Sequence, residues 1–233
     1  MVGGKRVVQV RSKERRLVVV DCGRSVASFP VATARYDAVP KYWSNDYRNA
    51  SGIYDIAGVF TRGTNELDRL NAHSVPWYLS GKAANPYEDA GLDLYGDAMI
   101  VTSYPNQADL DRYERARRTG LLRRVWNRFC EKHLRPIYER IARQSGLPFD
   151  EVRVATDYGN RTFADALESC PVLELKVAFD LGVAIHGTND PGCIGTPISA
   201  GCIRMHNSDI AKLLSFIDAE TKVAFETPEF FSV

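Results

Sequence analysis

The chain has no apolar run approaching the roughly 20 residues that a membrane-spanning helix needs, so it offers no candidate span. Neither sign of charge is in excess: 30 Lys and Arg stand against 29 Asp and Glu, a formal net charge of +1. No global field would draw such a chain to nucleic acid or to an anionic membrane surface. The five cysteines, Cys22, Cys130, Cys170, Cys193 and Cys202, include no Cys-x-x-Cys pair and no Cys/His cluster, which excludes the usual zinc patterns. Their odd number leaves at least one thiol outside any intrachain disulfide. There is no internal repeat, no low-complexity tract and, in the polar stretch Met1-Val2-Gly3-Gly4-Lys5, no apolar leader with a small-residue cleavage site. With 45% hydrophobic and 25% charged residues the composition is that of a folded domain. At 233 residues the core needs no disulfide or metal to hold it.

What is present begins as β. Short β-branched runs at 7–10, 17–20 and 26–32 are separated by the turns Arg11-Ser12-Lys13-Glu14 and Cys22-Gly23-Arg24. From 37 to 97 the chain is rich in Gly, Pro, Asn and Tyr and reads as long surface loops. Only Gly52-Ile53-Tyr54-Asp55-Ile56 and Trp77-Tyr78-Leu79 look like strand there. A buried strand is expected at 98–102. The apolar period then changes: Leu122, Val125, Trp126, Phe129, Cys130, Leu134, Ile137 and Ile141 recur at helical spacing. This predicts a helical segment over about 110–144, kinked or split at Pro136 and ended by Ser145-Gly146-Leu147-Pro148. Its other face carries Arg117, Arg118, Arg123, Arg124, Arg128 and Lys132, which reads as a solvated face balanced by nearby acids. The β pattern returns at 172–178, 183–185 and 222–226, with a short helix at 207–217 capped by Asn207 or Ser208. The expected architecture is one mostly-β domain over 1–233, a sandwich or barrel, with a helical insertion at about 106–170: α+β overall.

The stretch that carries chemistry is IHGTNDPGCIGTPISAGCIRMHN, from Ile185 to Asn207. A histidine follows an apolar strand and precedes a glycine. A Gly/Pro/Asn-rich loop comes next, and Ser-x-Gly-Cys then leads through Ile-Arg-Met to a helix start. A cysteine is a strong nucleophile only as the thiolate, and a nearby histidine, an arginine or oriented backbone N–H groups each favour that form. All three lie within this segment around Cys202. Gly201 lets the backbone approach a bound carbonyl, and the N–H groups of Gly201 and Cys202 are candidates for an oxyanion hole. A Cys/His pair needs a third group to orient the imidazole. No Asp or Asn position near His186 stands out, and the backbone carbonyl of Gly187 is the substitute we expect.

His186-Gly187-Thr188 followed by Ser199-Ala200-Gly201-Cys202-Ile203-Arg204-Met205-His206-Asn207 resembles the signature of the YkuD-type L,D-transpeptidases. The segments Phe29-Pro30-Val31-Ala32-Thr33 and Ser51-Gly52-Ile53-Tyr54-Asp55-Ile56 are similar, more weakly, to that family's opening hairpin and its Pro-Gly-x-Tyr/Phe element. Two departures stand out. Ala200 takes a place where many members have His, and Tyr104-Pro105-Asn106 followed by Asp109 resembles a divergent branch that can hydrolyse peptidoglycan linkages.

The resemblance implies a Cys202 nucleophile, His186 as general acid/base, Gly187 orienting His186 and Gly201 in the oxyanion hole. Arg204, Ser199 and Thr188 would contact substrate; Arg204 reads equally as a salt bridge holding the loop, and Ser199 as a loop or His186 support. The implied reaction takes a tetrapeptide stem of peptidoglycan through a Cys thioester to a 3→3 cross-link or an exchanged terminal D-amino acid, with no metal or organic cofactor. Strained β-lactams such as carbapenems are the expected inhibitors. An L,D-carboxypeptidase or amidase on the same fold is the alternative; a non-catalytic muropeptide-binding module and a secreted interbacterial effector are others. The compartments left open are the periplasm or cell envelope, reached after removal of a leader or by another export route, the cytoplasm, and delivery outside the cell.

Overall fold

A computed structural model of the chain describes residues 6–35, 41, 48–63, 68, 70–71, 95–129, 131, 135–146, 148 and 182–226. The chain divides into two compact units, 1–106 with 177–233, and 107–176.

The first unit is built on a mixed sheet of eight strands in the order β3-β2-β1-β10-β5-β6-β7-β9. Its strands are β1 (Val7–Arg11), β2 (Arg16–Asp21), β3 (Arg24–Pro30), β5 (Gly52–Thr61), β6 (Ala98–Thr102), β7 (Ala184–His186), β9 (Ile203–Arg204) and β10 (Lys222–Phe225). The order explains why chain ends that are far apart in sequence meet. β1 pairs with β10 in parallel, and β10 then pairs antiparallel with β5. In β1 burial alternates along the strand: Val8 and Val10 are buried while their neighbours are half-buried. The β2–β3 hairpin turns on Cys22 and Gly23, whose φ values of 48° and 77° are the pair of left-handed conformations that a tight two-residue turn requires.

Two short strands, β4 (Thr33–Ala34) and β8 (Pro197–Ser199), form a second, parallel ladder. Just before β4, Ala32 and Arg204 exchange backbone hydrogen bonds of 2.9 and 3.0 Å. The chain leaving edge strand β3 therefore joins the opposite edge strand β9, so the large sheet curls towards closure. The mostly-β expectation holds in this curled form. β6 is buried at all five positions because it lies between β5 and β7. The run expected at 26–32 is in fact two elements, since the chain bends out of β3 after Pro30.

The second unit contains α1 (Gln107–Arg118), α2 (Leu121–Phe129) and α3 (Arg135–Ser145). The helical segment expected at about 110–144, kinked or split at Pro136, is interrupted earlier, at Thr119-Gly120, where Gly120 takes φ +64°. Pro136 stands at the second residue of α3, where a missing N–H is harmless. Glu114 accepts from both Arg117 and Arg118, at 2.7 and 2.8 Å, which together hold its carboxyl down at about 2. Those two arginines belong to a charge-balanced face, while Arg123, Arg124 and Arg128 are exposed. The strand-like runs at 77–79 and 172–178 lie outside the described residues.

Candidate active site

Strands β7 and β9 run parallel, with Ile185 opposite Ile203 and His186 opposite Arg204. One step back in that register, Cys202 falls beside Ala184. Because successive side chains alternate faces, Ala184, His186, Cys202 and Arg204 share one face, and Ile185 and Ile203 the other. Neighbouring strands lie about 4.8 Å apart and two residues span about 6.6 Å, so the cysteine and histidine side chains are diagonal neighbours. Both Ile residues are fully buried; a slip of one residue would exchange the Cys/His face with the Ile face.

His186 is buried, at 4% exposure. Its Nδ1 lies 2.6 Å from the Gly187 carbonyl. A carbonyl can only accept, so the neutral ring carries its hydrogen on Nδ1 and presents Nε2 as an acceptor. The strand is anchored on both sides of the ring: Gly187 N donates to Ala98 O at 3.0 Å, and Met205 N to His186 O at 2.8 Å. Tyr95 closes the remaining side edge-on, with ring centroids 5.0 Å apart. Burial holds the imidazole's pKa down at about 4, Arg204's positive charge adds to the effect, and the Gly187 bond opposes it.

Cys202 is half-buried. With Tyr95 it packs on an apolar cluster of Ala57, Phe60, Met99, Val101 and Ala184. Burial pushes the thiol above its ordinary range; a hydrogen bond with the Ala184 backbone and the charges of Lys41 and Arg204 pull the other way. The resting pair is therefore neutral thiol and neutral imidazole. Cys22 and Cys193 are also free thiols, one exposed and one buried, and Cys130 and Cys170 lie outside the described residues.

The loop before Cys202 is braced from within. Ser199 is 1% exposed; its hydroxyl donates to the Cys202 carbonyl and accepts from Gly201 N at 3.2 Å. In this arrangement Ser199 braces the loop from the interior. The same bond engages the Gly201 N–H, so in this arrangement the oxyanion donor expected at Gly201 is already paired, and the Cys202 N–H is the candidate of the two that remains. Thr188 is likewise interior at 4% exposure: its Oγ1 accepts from Asp190 N at 3.1 Å, and its own N donates to Asn207 Oδ1, also at 3.1 Å. Arg204 is half-buried, and its Nε has no hydrogen-bond partner among the described residues.

Two residues enter the site that sequence reasoning placed elsewhere or passed over. Asn207 was expected as a cap for the helix α4 (Asn207–Leu214); the cap position is held by His206, which makes no side-chain cap bond. Asn207 Oδ1 instead takes hydrogen bonds from Thr188 N and Asp97 N, tying the His186-Gly187-Thr188 strand end to the turn that carries Tyr95. Gly96 and Gly187 are both bare because a Cβ at either would overlap that oxygen. Lys41, in the loop-rich stretch, is buried at 5% exposure with its Nζ 3.2 Å from the Ala200 carbonyl.

The family model for the YkuD L,D-transpeptidase catalytic domain matches residues 5–224. The chain belongs to this family. Over 39 residues it is 54% identical to the "Putative L,D-transpeptidase YkuD" of Bacillus subtilis, which covers 17% of this chain and 24% of that protein. Among solved structures, the helical cell shape determining protein Pgp2 of Campylobacter jejuni aligns over 98% of this chain and 49% of its own, at 15% identity and TM-score 0.48. An L,D-transpeptidase from Mycobacterium smegmatis aligns over 97% and 60%, at 9% identity and TM-score 0.41. The chain thus spans a quarter to three fifths of the length of these relatives.

Proposed function

We propose that this YkuD-family domain is a cysteine acyltransferase acting on peptidoglycan tetrapeptide stems. The observation that carries the reading is the shared face of β7 and β9, which presents Cys202 beside a histidine whose Nδ1 is committed to the Gly187 carbonyl. Cys202 Sγ attacks the carbonyl carbon of the third stem residue while His186 Nε2 takes the thiol proton. The C–N bond to the terminal D-alanine breaks, and His186 returns the proton to the departing amine. An amine of a second stem then attacks the thioester, giving its proton to His186, and the 3→3 amide forms as the thiol is restored.

With a neutral resting pair, proton transfer from sulfur to Nε2 is uphill, so it accompanies attack and does not precede it. The role assigned to the Cys202 N–H is to stabilise the oxyanion as it develops. Arg204 supplies positive charge to the same face, suited to a stem carboxylate. The site's acyl-transfer chemistry also accounts for β-lactams as inhibitors: a strained lactam carbonyl takes the place of the scissile amide and leaves a slowly cleared thioester.

The test is incubation with a purified disaccharide-tetrapeptide and mass spectrometry of the products. Cross-linked dimers, or tetrapeptides carrying an exchanged terminal D-amino acid, support transpeptidation. Shortened stems alone would make the enzyme an L,D-carboxypeptidase, and unchanged substrate would overturn the reading.

A further inference from the structure

Lysine is almost never fully buried without a purpose for its charge. Lys41 is 95% buried, and it is buried against the backbone of the nucleophile. Its Nζ donates to Ala200 O at 3.2 Å. At the next residue, a Cβ on Gly201 would fall 2.6 Å from Lys41 Nζ and 3.1 Å from Arg48 O. Gly201 also takes φ +145°, a conformation that residues with a Cβ avoid. The glycine before Cys202 is therefore the space in which the ammonium sits.

We propose that Lys41 is a positioning residue for Cys202: its ammonium, lodged against Ala200 and Gly201, holds the nucleophile loop and supplies a fixed positive charge that favours the thiolate. The inference rests on Cys202 being the nucleophile, as in the function proposed above. Among the described residues the charged groups that bear on Cys202 are Lys41 and Arg204 of β9; His186 of β7 is its diagonal neighbour, and Tyr95 of the turn before β6 packs on the same apolar cluster. Arg204's charge acts on both members of the pair, favouring the thiolate but opposing the imidazolium that forms when His186 takes the proton. Lys41's charge also favours the thiolate of Cys202. A lysine suits the place: a compact point charge on a flexible stem fits the gap that Gly201 leaves.

The experiment measures alkylation of Cys202 by iodoacetamide against pH in the full chain, read by peptide mass spectrometry, for wild type, Lys41→Gln, Lys41→Met and Lys41→Arg. The glutamine keeps a donor for Ala200 O without the charge, and the methionine removes both. One nearby charge is worth on the order of one pH unit. Both neutral variants should move the midpoint up by about that much and slow alkylation at pH 7 about tenfold, while Lys41→Arg recovers most of the rate. In turnover, kcat should fall with KM little changed. Neutral variants that melt cooperatively and titrate as wild type overturn the proposal. So does a rise in KM with kcat unchanged, which would make Lys41 a substrate contact. Loss of folding in both neutral variants also overturns it, since Lys41 would then be a structural residue of the core. The alkylation assay needs no peptidoglycan, so failure of the proposed reaction and failure of the Lys41 role are read separately.

Discussion

Substituting His186 by glutamine should make the protein more resistant to acid, even as it removes the base. The imidazole is 4% exposed, and its pKa is held at about 4 against an ordinary 6.5. Between those values the unfolded chain binds a proton at this residue and the folded chain does not. Stability therefore rises with pH across this window, is unaffected by His186 above about pH 6.5, and is lost as pH falls towards 4. The two values give a loss of about 2 kcal/mol at pH 5 and about 3 kcal/mol at pH 4, roughly 30-fold and 150-fold in the folding equilibrium. His186→Gln places an uncharged amide at the site and carries no such linkage.

Carboxylates held low in the folded state, such as Asp21 by Arg6 and Asp218 by Thr221, also weaken the protein in acid. They do so equally in both forms and cancel in the difference. Urea unfolding at pH 7, 6, 5 and 4.5 is the assay. The stability difference between variant and wild type should shift towards the variant by about 2 kcal/mol from pH 7 to pH 5. Parallel curves over that range would refute the claim that His186 is buried neutral.

The remaining predictions concern the loop and the nucleophile. Gly201→Ala should cost at least about 1 kcal/mol in thermal unfolding, because alanine is strained at that φ and meets Lys41 and Arg48; an unchanged Tm would show the loop to be more yielding than its geometry implies. Asn207→Ala should lower kcat with little change in KM and cost about 1 kcal/mol, since Thr188 N and Asp97 N lose their acceptor; full activity would separate that clamp from His186. A carbapenem should give one adduct per chain, mapped to Cys202. An adduct on the exposed Cys22 in its place would mean that exposure, and not the His186 environment, decides reactivity.

The sequence made some of these features readable and hid others for physical reasons. Strand β1 announces itself by alternation and β2 and β6 by short continuous apolar runs, and the Cys22-Gly23 turn by a glycine between two strand-like runs. The break at Gly120 precedes the apolar stripe, which begins at Leu122, so the stripe does not mark it; the signal for it is a glycine just after the basic last turn of α1. His186 and Cys202 are legible because the chemistry compresses them into one short segment. Lys41 is not: it lies 159 residues from the carbonyl it binds, in a stretch whose composition says only loop. Asn207 misleads in the opposite direction, since asparagine before a helix is a standard cap signal and here the side chain reaches away to hold two backbone N–H groups. Ser199 belongs to the motif, yet whether its hydroxyl serves loop or substrate depends on the turn geometry between it and Cys202, which spacing alone does not specify.

The account stands most directly on the covalent intermediate. Wild-type protein mixed with a disaccharide-tetrapeptide, quenched in acid within the first turnovers and measured by intact-mass spectrometry, should gain the mass of the donor less D-alanine. The adduct should map to Cys202, be released by hydroxylamine as a thioester is, and be absent from a Cys202→Ala protein that folds normally and turns nothing over. Product formation with no adduct at Cys202, or turnover retained by the folded Cys202→Ala variant, would contradict it.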